Sequence, residues 1–273
     1  MTANPSTARY DLPLFVPANK PERLPKALAA AHDAVIIDLE DAVAAADKEA
    51  ARNALFHARS ALQKTDVAVF VRVNAIETPW HAVDIGLCAE LPLAGIMLPK
   101  SESGAQIDRL RSAIPERLIC LALVETAKGI DNLREIATRA DRLAFGSIDY
   151  CVDLGCGHDR LALLGPRQAC VIASKLAGLP APLDGVTTTF RDVETVRDDA
   201  AHAAMLGFGG KMLIHPAQIE PARTGLAPSP EMVAWANRIL AAGTNGATAL
   251  DGMMIDEPVL LRAQGIRARA KRN

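Results

Sequence analysis

The feature that most limits what this chain can fold into is a regular alternation along its length. Short runs rich in Val, Ile and Leu lie at residues 12–17, 34–39, 67–73, 95–99, 118–124, 143–148, 183–188 and 211–214. Most show little switching between polar and apolar residues, as expected of strands covered on both faces. Between them, stretches at 21–32, 48–63, 82–90, 103–113, 129–138, 166–176 and 192–206 have the character of amphipathic helices. Pro21 and Pro166 suit a first helical turn, where a missing N–H costs nothing. Ser103 and Asp192 are N-cap residues by type. Eight such repeats in 273 residues favour an α/β fold, a (β/α)8 TIM barrel, over an open doubly wound sheet. Residues 1–228 are read as the barrel catalytic domain and 229–273 as a C-terminal helical lid or tail extension. Within the latter a helix at 232–242 is expected to complete the helical ring. The stretch Gly243-Thr-Asn-Gly246 breaks the pattern, and a basic tail with a short helix is expected at 254–271.

Composition narrows the function classes. Half of the residues are hydrophobic and 23% are charged, enough for one large core. A net charge of -2 gives no global attraction to nucleic acid or to an anionic membrane. Two Tyr, two Trp and six Phe supply no stacking platform for single strands. No stretch approaches the about 20 apolar residues that span a bilayer, and residues 1–9 lack an apolar signal core. Cys151 and Cys156, even with His158 nearby, do not have zinc-ligand spacing. Five scattered cysteines fit a reduced, cytoplasmic setting.

The polar residues concentrate where the apolar runs end. The second run ends Asp38-Leu-Glu40-Asp41, the third Arg72-Val-Asn74, the fourth Pro99-Lys100, the fifth at Glu125, the sixth at Asp149 and the eighth at His215-Pro216. In a parallel barrel these ends open on one face, the face that carries catalytic groups. A salt-bridge ring closing the barrel is the structural alternative for any one of these residues, but it explains the whole set poorly. Glu125 and Asp149 are the best metal ligands, because Mg²⁺ typically takes one or two carboxylates from protein and keeps its other positions for water and substrate. Arg72 has the planar fork to clamp a carboxylate or stabilise a developing oxyanion. Glu40 and Asp41 are candidates to hold Arg72 or metal-bound water. His215 is as readily a hydrogen-bonded structural residue as a functional one. Lys100 has no evident partner, and a Schiff-base role there requires a depressed pKa. Lys20, Arg23 and Lys26 follow the first strand, where they either meet phosphates at the rim or form a solvated helix face. No Gly-rich phosphate motif is present; Gly207-Phe-Gly-Gly210 before the eighth run is compatible with close backbone approach.

Several segments together resemble the citrate lyase β-subunit-like acyl-CoA lyases of the HpcH/HpaI aldolase/citrate lyase group. They are Leu14-Phe-Val-Pro-Ala-Asn-Lys-Pro-Glu-Arg-Leu24, Ile37-Asp-Leu-Glu-Asp-Ala-Val43, Val71-Arg-Val-Asn74, Met97-Leu-Pro-Lys100, Ala122-Leu-Val-Glu-Thr-Ala-Lys-Gly129 and Ile214-His-Pro-Ala-Gln218. Asp251-Gly-Met-Met-Ile-Asp256 resembles the family's lid motif. The resemblance runs over nearly the whole chain. It implies a Mg²⁺-dependent carbon–carbon lyase acting on an acyl-CoA thioester, usually as a homotrimer or a hexamer. It places the metal on Glu125 and Asp149, the substrate clamp on Arg72 and a supporting acid on Asp41. It puts Lys20 and Lys26 near the CoA phosphates and Pro216 near the substrate, and it makes Asp256 a mobile acid that enters a neighbouring subunit's site. Two departures stand out. Gly146-Ser-Ile-Asp149 replaces the commoner Gly-Ala-Glu-Asp, and Pro17-Ala18 replaces Pro-Gly. With Asp153-Leu-Gly155, the first departure is closer to the citramalyl-CoA lyase branch.

The expected reaction is therefore cleavage of (3S)-citramalyl-CoA to acetyl-CoA and pyruvate, or of malyl-CoA to acetyl-CoA and glyoxylate. Two alternatives stay open on sequence. One is a citrate lyase β-type subunit working on a carrier-protein thioester within a complex. The other is a metal-dependent aldolase acting on free 2-oxo acids.

Overall fold

The structure, a computed structural model, describes residues 10–31, 33–242, 248–250 and 253–271. Residues 1–9, the expected helix end at residue 32, the 243–246 break and the start of the 251–256 segment lie outside them.

Eight strands run in sequence order around one parallel sheet: β1 (Leu14–Pro17), β2 (Ala34–Asp38), β3 (Ala68–Arg72), β4 (Gly95–Leu98), β5 (Ile119–Val124), β6 (Arg142–Phe145), β7 (Leu183–Asp184) and β8 (Gly210–Lys211). The chain after β8 pairs back onto β1. Leu213 bridges Leu14 in parallel, and the Phe15 N–H donates to the Leu213 carbonyl at 2.8 Å. This closes the sheet into the expected (β/α)8 barrel. Gly210 allows the closure: a Cβ there would stand 2.1 Å from the Asp11 carbonyl oxygen. The close backbone approach read from the glycine-rich stretch is thus present.

Period-two alternation sorts the strand residues into two buried layers. Ala34, Ile36, Phe70, Met97, Leu121, Leu123, Ala144, Leu183 and Met212 form one cluster, inside the barrel. Val35, Ile37, Val69, Val71, Ile96, Leu98, Cys120, Ala122 and Val124 join the larger cluster between strands and helices. Both faces are covered, which is why the runs read as continuously apolar. The inward parity also picks out the polar mouth. Residues 34, 36 and 38, residues 70 and 72, and residues 121, 123 and 125 share one facing, so Asp38, Arg72 and Glu125 cap the inner layer. The sheet register aligns Asp38 with Arg72.

Helix caps follow the residue types. Ser103 accepts from the Gln106 N–H, and Asp192 from the Glu194 and Thr195 N–H groups. Four expectations need correction. The seventh strand is only Leu183–Asp184 of the expected 183–188. The sixth strand stops at Phe145, and Ser147–Leu154 is a helix, so Asp149 sits in a first helical turn and not at a strand end. The last helix of the ring is Ile219–Leu226, whose Ile219 and Ala222 enter the main core, and not the helix at 232–242. Pro221 is tolerated there because it falls in the first turn. Helix Pro230–Ala241 instead packs on the C-terminal helix Glu257–Ala270, forming a small core of Ala236, Ile239, Ile255, Ala263 and Ile266. Between these helices, β9 (Thr248–Leu250) and β10 (Met253–Ile255) pair antiparallel, where a break in the pattern followed by a basic tail with a short helix was expected.

Candidate active site

A cavity of about 500 Å³ opens at the carboxyl-terminal mouth of the barrel. Its polar lining includes Arg23, Asp38, Asp41, Arg72, Ser147, Asp149 and Glu125, and its apolar lining includes Phe15, Leu123, Val186 and Met212. Concentration of buried charge on an otherwise apolar wall is the signature of a site rather than of packing.

Arg72 is its organising cation. Its Nε and Nη2 donate to Asp38 Oδ1 and Oδ2, both at 2.7 Å, a bidentate fork-to-fork pair. Its Nη1 reaches Asp41 Oδ2 at 3.2 Å. The guanidinium also lies 5.1 Å from the centre of the Phe15 ring. Burial works against the Arg72 charge, but Asp38, Glu40 and Asp41 outweigh it and push its pKa above the ordinary arginine value. Asp38 is thus the principal partner, and the sequence reading, which gave the supporting role to Glu40 and Asp41, missed it. The signal that could have found it is the parity of the β2 run. Asp38 itself is buried, accepts the Glu40 and Ala42 N–H groups, and so fixes the turn that carries the other acids.

Glu125 is 1% exposed. Its Oε1 accepts the Lys100 N–H at 2.8 Å. Desolvation lifts its pKa well above the ordinary carboxylate value; the charges of Glu40 and Asp149 push the same way, against Arg72 and the Lys100 N–H. Gly146, at the end of β6, makes room for it: a Cβ at that position would lie 2.4 Å from Glu125 Oε2 and 2.5 Å from Glu125 Cβ. Asp149, half-buried, follows in the first turn of the next helix and lines the same cavity. Glu40 is similarly stressed. Burial raises its pKa, against Arg72 and Lys100. Arg72 Nη1 stands 3.0 Å from Glu40 Oε2, within ion-pair range but off the hydrogen-bond axis, so this buried oxygen accepts no hydrogen bond among the described residues. Desolvated carboxylates crowding one cavity are the donor set a hard divalent cation would relieve. No group of three or more His, Cys, Asp or Glu side chains placed to hold a metal ion occurs among the described residues; Glu125 and Asp149 supply two carboxylates to one cavity, a number Mg²⁺ typically takes from protein.

Lys100 does have a partner: its Nζ donates to Glu40 Oε1 at 2.5 Å. Burial alone would lower its pKa, but the hydrogen bond and charge of Glu40, with Asp41 and Glu125, raise it. A raised pKa opposes an imine-forming role. His215 caps a short 3-10 turn that begins at Pro216, accepting the Ala217 N–H, with Gln218 closing the capping box. Its ring stacks on Phe190 at 4.5 Å. Pro216 starts this turn beside Ile214, which lines the cavity. Lys20 and Lys26 are exposed after β1; of the basic residues in that stretch, Arg23 is the one that reaches the cavity wall. Asp256 is exposed, caps the C-terminal helix by accepting the Val259 N–H at 3.2 Å, and does not line its own chain's cavity.

Two buried polar clusters escaped the sequence reading. Lys48 Nζ donates to the Leu39 and Glu40 carbonyls, each at 2.7 Å, and bears on Trp80, which braces the acidic turn from below. Asp184 holds Arg167 at 3.0 Å, with Lys211 3.6 Å away, on the outward parity between sheet and helices and away from the cavity. Neither shows periodicity a sequence could reveal, because each is assembled from distant segments.

No described helix is long and apolar enough to cross a membrane. The family model described as HpcH/HpaI aldolase/citrate lyase matches residues 12–216. A citrate lyase subunit beta-like protein from Mycobacterium tuberculosis is 40% identical over 268 residues, covering 94% of each chain. A (3S)-malyl-CoA thioesterase from Cereibacter sphaeroides is 35% identical, covering 94% of this chain and 93% of its own. The crystal structure of the protein CitE from Mycobacterium tuberculosis, in complex with magnesium, acetoacetate and coenzyme A, superposes with a TM-score of 0.84 at 37% identity. It covers 96% of this chain and 98% of that one.

Proposed function

Because the chain belongs to the HpcH/HpaI aldolase/citrate lyase family, we propose that it is a Mg²⁺-dependent carbon–carbon lyase that cleaves 3-hydroxyacyl-CoA thioesters. The substrate we assign is (3S)-citramalyl-CoA, giving acetyl-CoA and pyruvate, with malyl-CoA, giving acetyl-CoA and glyoxylate, as the other member of the class. The observation that carries this reading is the cavity itself. It sets a fully desolvated Glu125 and an Asp149 beside an arginine whose fork is already locked by Asp38.

Glu125 and Asp149 hold the metal in this reading. When bound, Mg²⁺ supplies Lewis-acid stabilisation to the substrate oxygen that becomes the carbonyl of the 2-oxo acid. Arg72 binds the substrate carboxylate or that same oxygen, and Asp38 keeps the guanidinium from rotating as charge builds. Phe15, Leu123, Val186 and Met212 form the dry wall that strengthens these charges. The substrate hydroxyl gives up its proton to solvent as its oxygen becomes the carbonyl, and cleavage of the bond between the carbinol carbon and the thioester α-carbon leaves that bond's electron pair on the α-carbon. The carboxyl of Asp256 delivers the proton that turns this carbon into the acetyl methyl. Since Asp256 does not line its own cavity, a second copy donates it, in a homotrimer or hexamer. The segment 229–273 then acts as a separate closing unit. Lys20 and Lys26 bind the CoA phosphates at the rim, and Pro216 shapes the opposite lip. Five free cysteines, buried or partly so, agree with a reducing cytoplasm.

The test is a coupled assay over malyl-, citramalyl-, methylmalyl- and citryl-thioesters, on CoA and on a carrier protein. Activity on CoA esters alone is the expected result. Activity confined to carrier-bound citryl thioester would make this a subunit of a complex, and activity on free 2-oxo acids would make it an aldolase.

A further inference from the structure

We infer that Lys100 is a positioning residue with two separate handles on the site, its backbone N–H setting Glu125 and its ammonium group setting Glu40; the inference rests on the lyase reading above. Lys100 has φ 47°, the one non-glycine residue in the left-handed region among those described. A residue with a Cβ is uncommon there, and such a conformation persists when its surroundings over-determine it. The surroundings here do so. The Ser101 hydroxyl donates to the Leu98 carbonyl at 2.9 Å, closing the turn around Pro99 and Lys100. The Ser101 N–H is tied to the Leu123 carbonyl of β5 at 3.0 Å.

Held this way, the Lys100 N–H donates to Glu125 Oε1 at 2.8 Å, and Lys100 Nζ reaches Glu40 Oε1 at 2.5 Å. Glu40 in turn stands 3.0 Å from Arg72 Nη1. The ammonium therefore offsets a buried negative charge placed beside the guanidinium that clamps the substrate anion. Without it, Glu40 competes with the substrate carboxylate for Arg72. The effect of the Lys100 side chain must then run through Glu40, whereas the effect of its backbone runs through Glu125.

Lys100→Gly separates the two handles. Glycine keeps the N–H and accepts positive φ at no steric cost, so only the ammonium is lost. The substitution is made in the wild-type and in the Glu40→Gln protein. Pyruvate affinity of the Mg²⁺-loaded full chain is measured by calorimetry, and KM for the cleaved thioester by assay. Lys100→Gly is expected to weaken pyruvate binding about tenfold when Glu40 is present and less than about twofold when it is Gln. Its Mg²⁺ affinity does not fall. Equal weakening in both backgrounds, or none in either, overturns the inference, as does lost Mg²⁺ affinity in Lys100→Gly. The expected pyruvate pattern in a protein that cleaves no thioester would overturn the lyase reading and leave this role standing. Cleavage without the Lys100–Glu40 coupling would do the reverse, and neither binding nor cleavage would overturn both.

Discussion

Gly146→Ala is the substitution whose outcome the structure specifies most fully. Gly146 directly follows β6, donates its N–H to the Val124 carbonyl at 2.9 Å and accepts the Tyr150 N–H as the next helix begins. A methyl group there would lie 2.4 Å from Glu125 Oε2, about 1 Å inside the 3.4 Å at which ordinary contact begins. The carboxylate can swing away from such a clash, but Glu125 Cβ, 2.5 Å from the same methyl, is fixed at the end of β5 and cannot. Either the β5–β6 spacing or the position of Glu125 must change. Overpacking of this kind costs about 1–3 kcal/mol. For a chain of this size that lowers the melting temperature by about 2–12 °C. A ligand displaced by about 1 Å loses on the order of 100-fold in rate, and Mg²⁺ affinity should fall by about 10–100-fold. Calorimetry of Mg²⁺ binding and scanning calorimetry of the metal-free protein read the two effects. Gly86→Ala is the control: it lies in helix His81–Glu90 with nothing within 4 Å of a built Cβ, so it should stabilise by up to about 1 kcal/mol. A Gly146→Ala protein that melts and binds Mg²⁺ like wild type would refute the assignment of Glu125 as a constrained ligand.

Other consequences can be checked in the same preparations. Glu125 has a folded-state pKa lifted above its ordinary 4.5, so the folded chain holds a proton that the unfolded chain has released. Its contribution therefore declines as pH rises through the window above 4.5. The stability of Glu125→Gln relative to metal-free wild type should accordingly increase as pH rises above 4.5 in denaturant titrations, and a constant difference would contradict the shift. Asp38→Asn breaks a buried bidentate pair and should cost about 3–5 kcal/mol. Asp41→Ala, whose side chain is 52% exposed, should cost less than about 1 kcal/mol; the reverse order in unfolding experiments would restore Asp41 as the main support of Arg72. Asp256→Asn keeps the helix cap while removing the acid. It should lose at least about 100-fold in turnover with an unchanged melting temperature, whereas Asp256→Ala should also lose about 1 kcal/mol of stability. Mixing inactive Asp256→Asn with inactive Glu125→Gln protein should regain activity if the acid crosses between subunits, and no recovery after subunit exchange would place it within one chain.

Strand parity explains why much of the architecture was legible. The runs at β2, β3 and β5 are apolar on both faces, and the first polar residue on the inward face of each is Asp38, Arg72 or Glu125. Where reading failed, the local pattern imitated something else. Leu143-Ala-Phe-Gly-Ser-Ile148 looks like one apolar run, yet pairing stops at Phe145 and the chain turns at once into a helix. Val186 to Thr188 has strand-like composition, but the Thr187 and Thr189 carbonyls accept from the Gln218 side chain and not from a neighbouring strand. Pro221 and Gly225 look like helix breakers. One falls harmlessly in a first turn, and the other is needed because a Cβ would meet the Arg197 carbonyl at 2.2 Å. Lys100's partner, Glu40, is 60 residues away, so no spacing rule could reveal it.

The most direct test follows both products of citramalyl-CoA or malyl-CoA breakdown at once, 2-oxo acid and acetyl-CoA against free thiol. The lyase account predicts equal amounts of 2-oxo acid and acetyl-CoA, abolished by a chelator, restored by Mg²⁺ and absent in Glu125→Gln. Release of free CoA with the intact hydroxy acid and no 2-oxo acid would make the chain a thioesterase, and metal-independent cleavage would remove Glu125 and Asp149 from the chemistry.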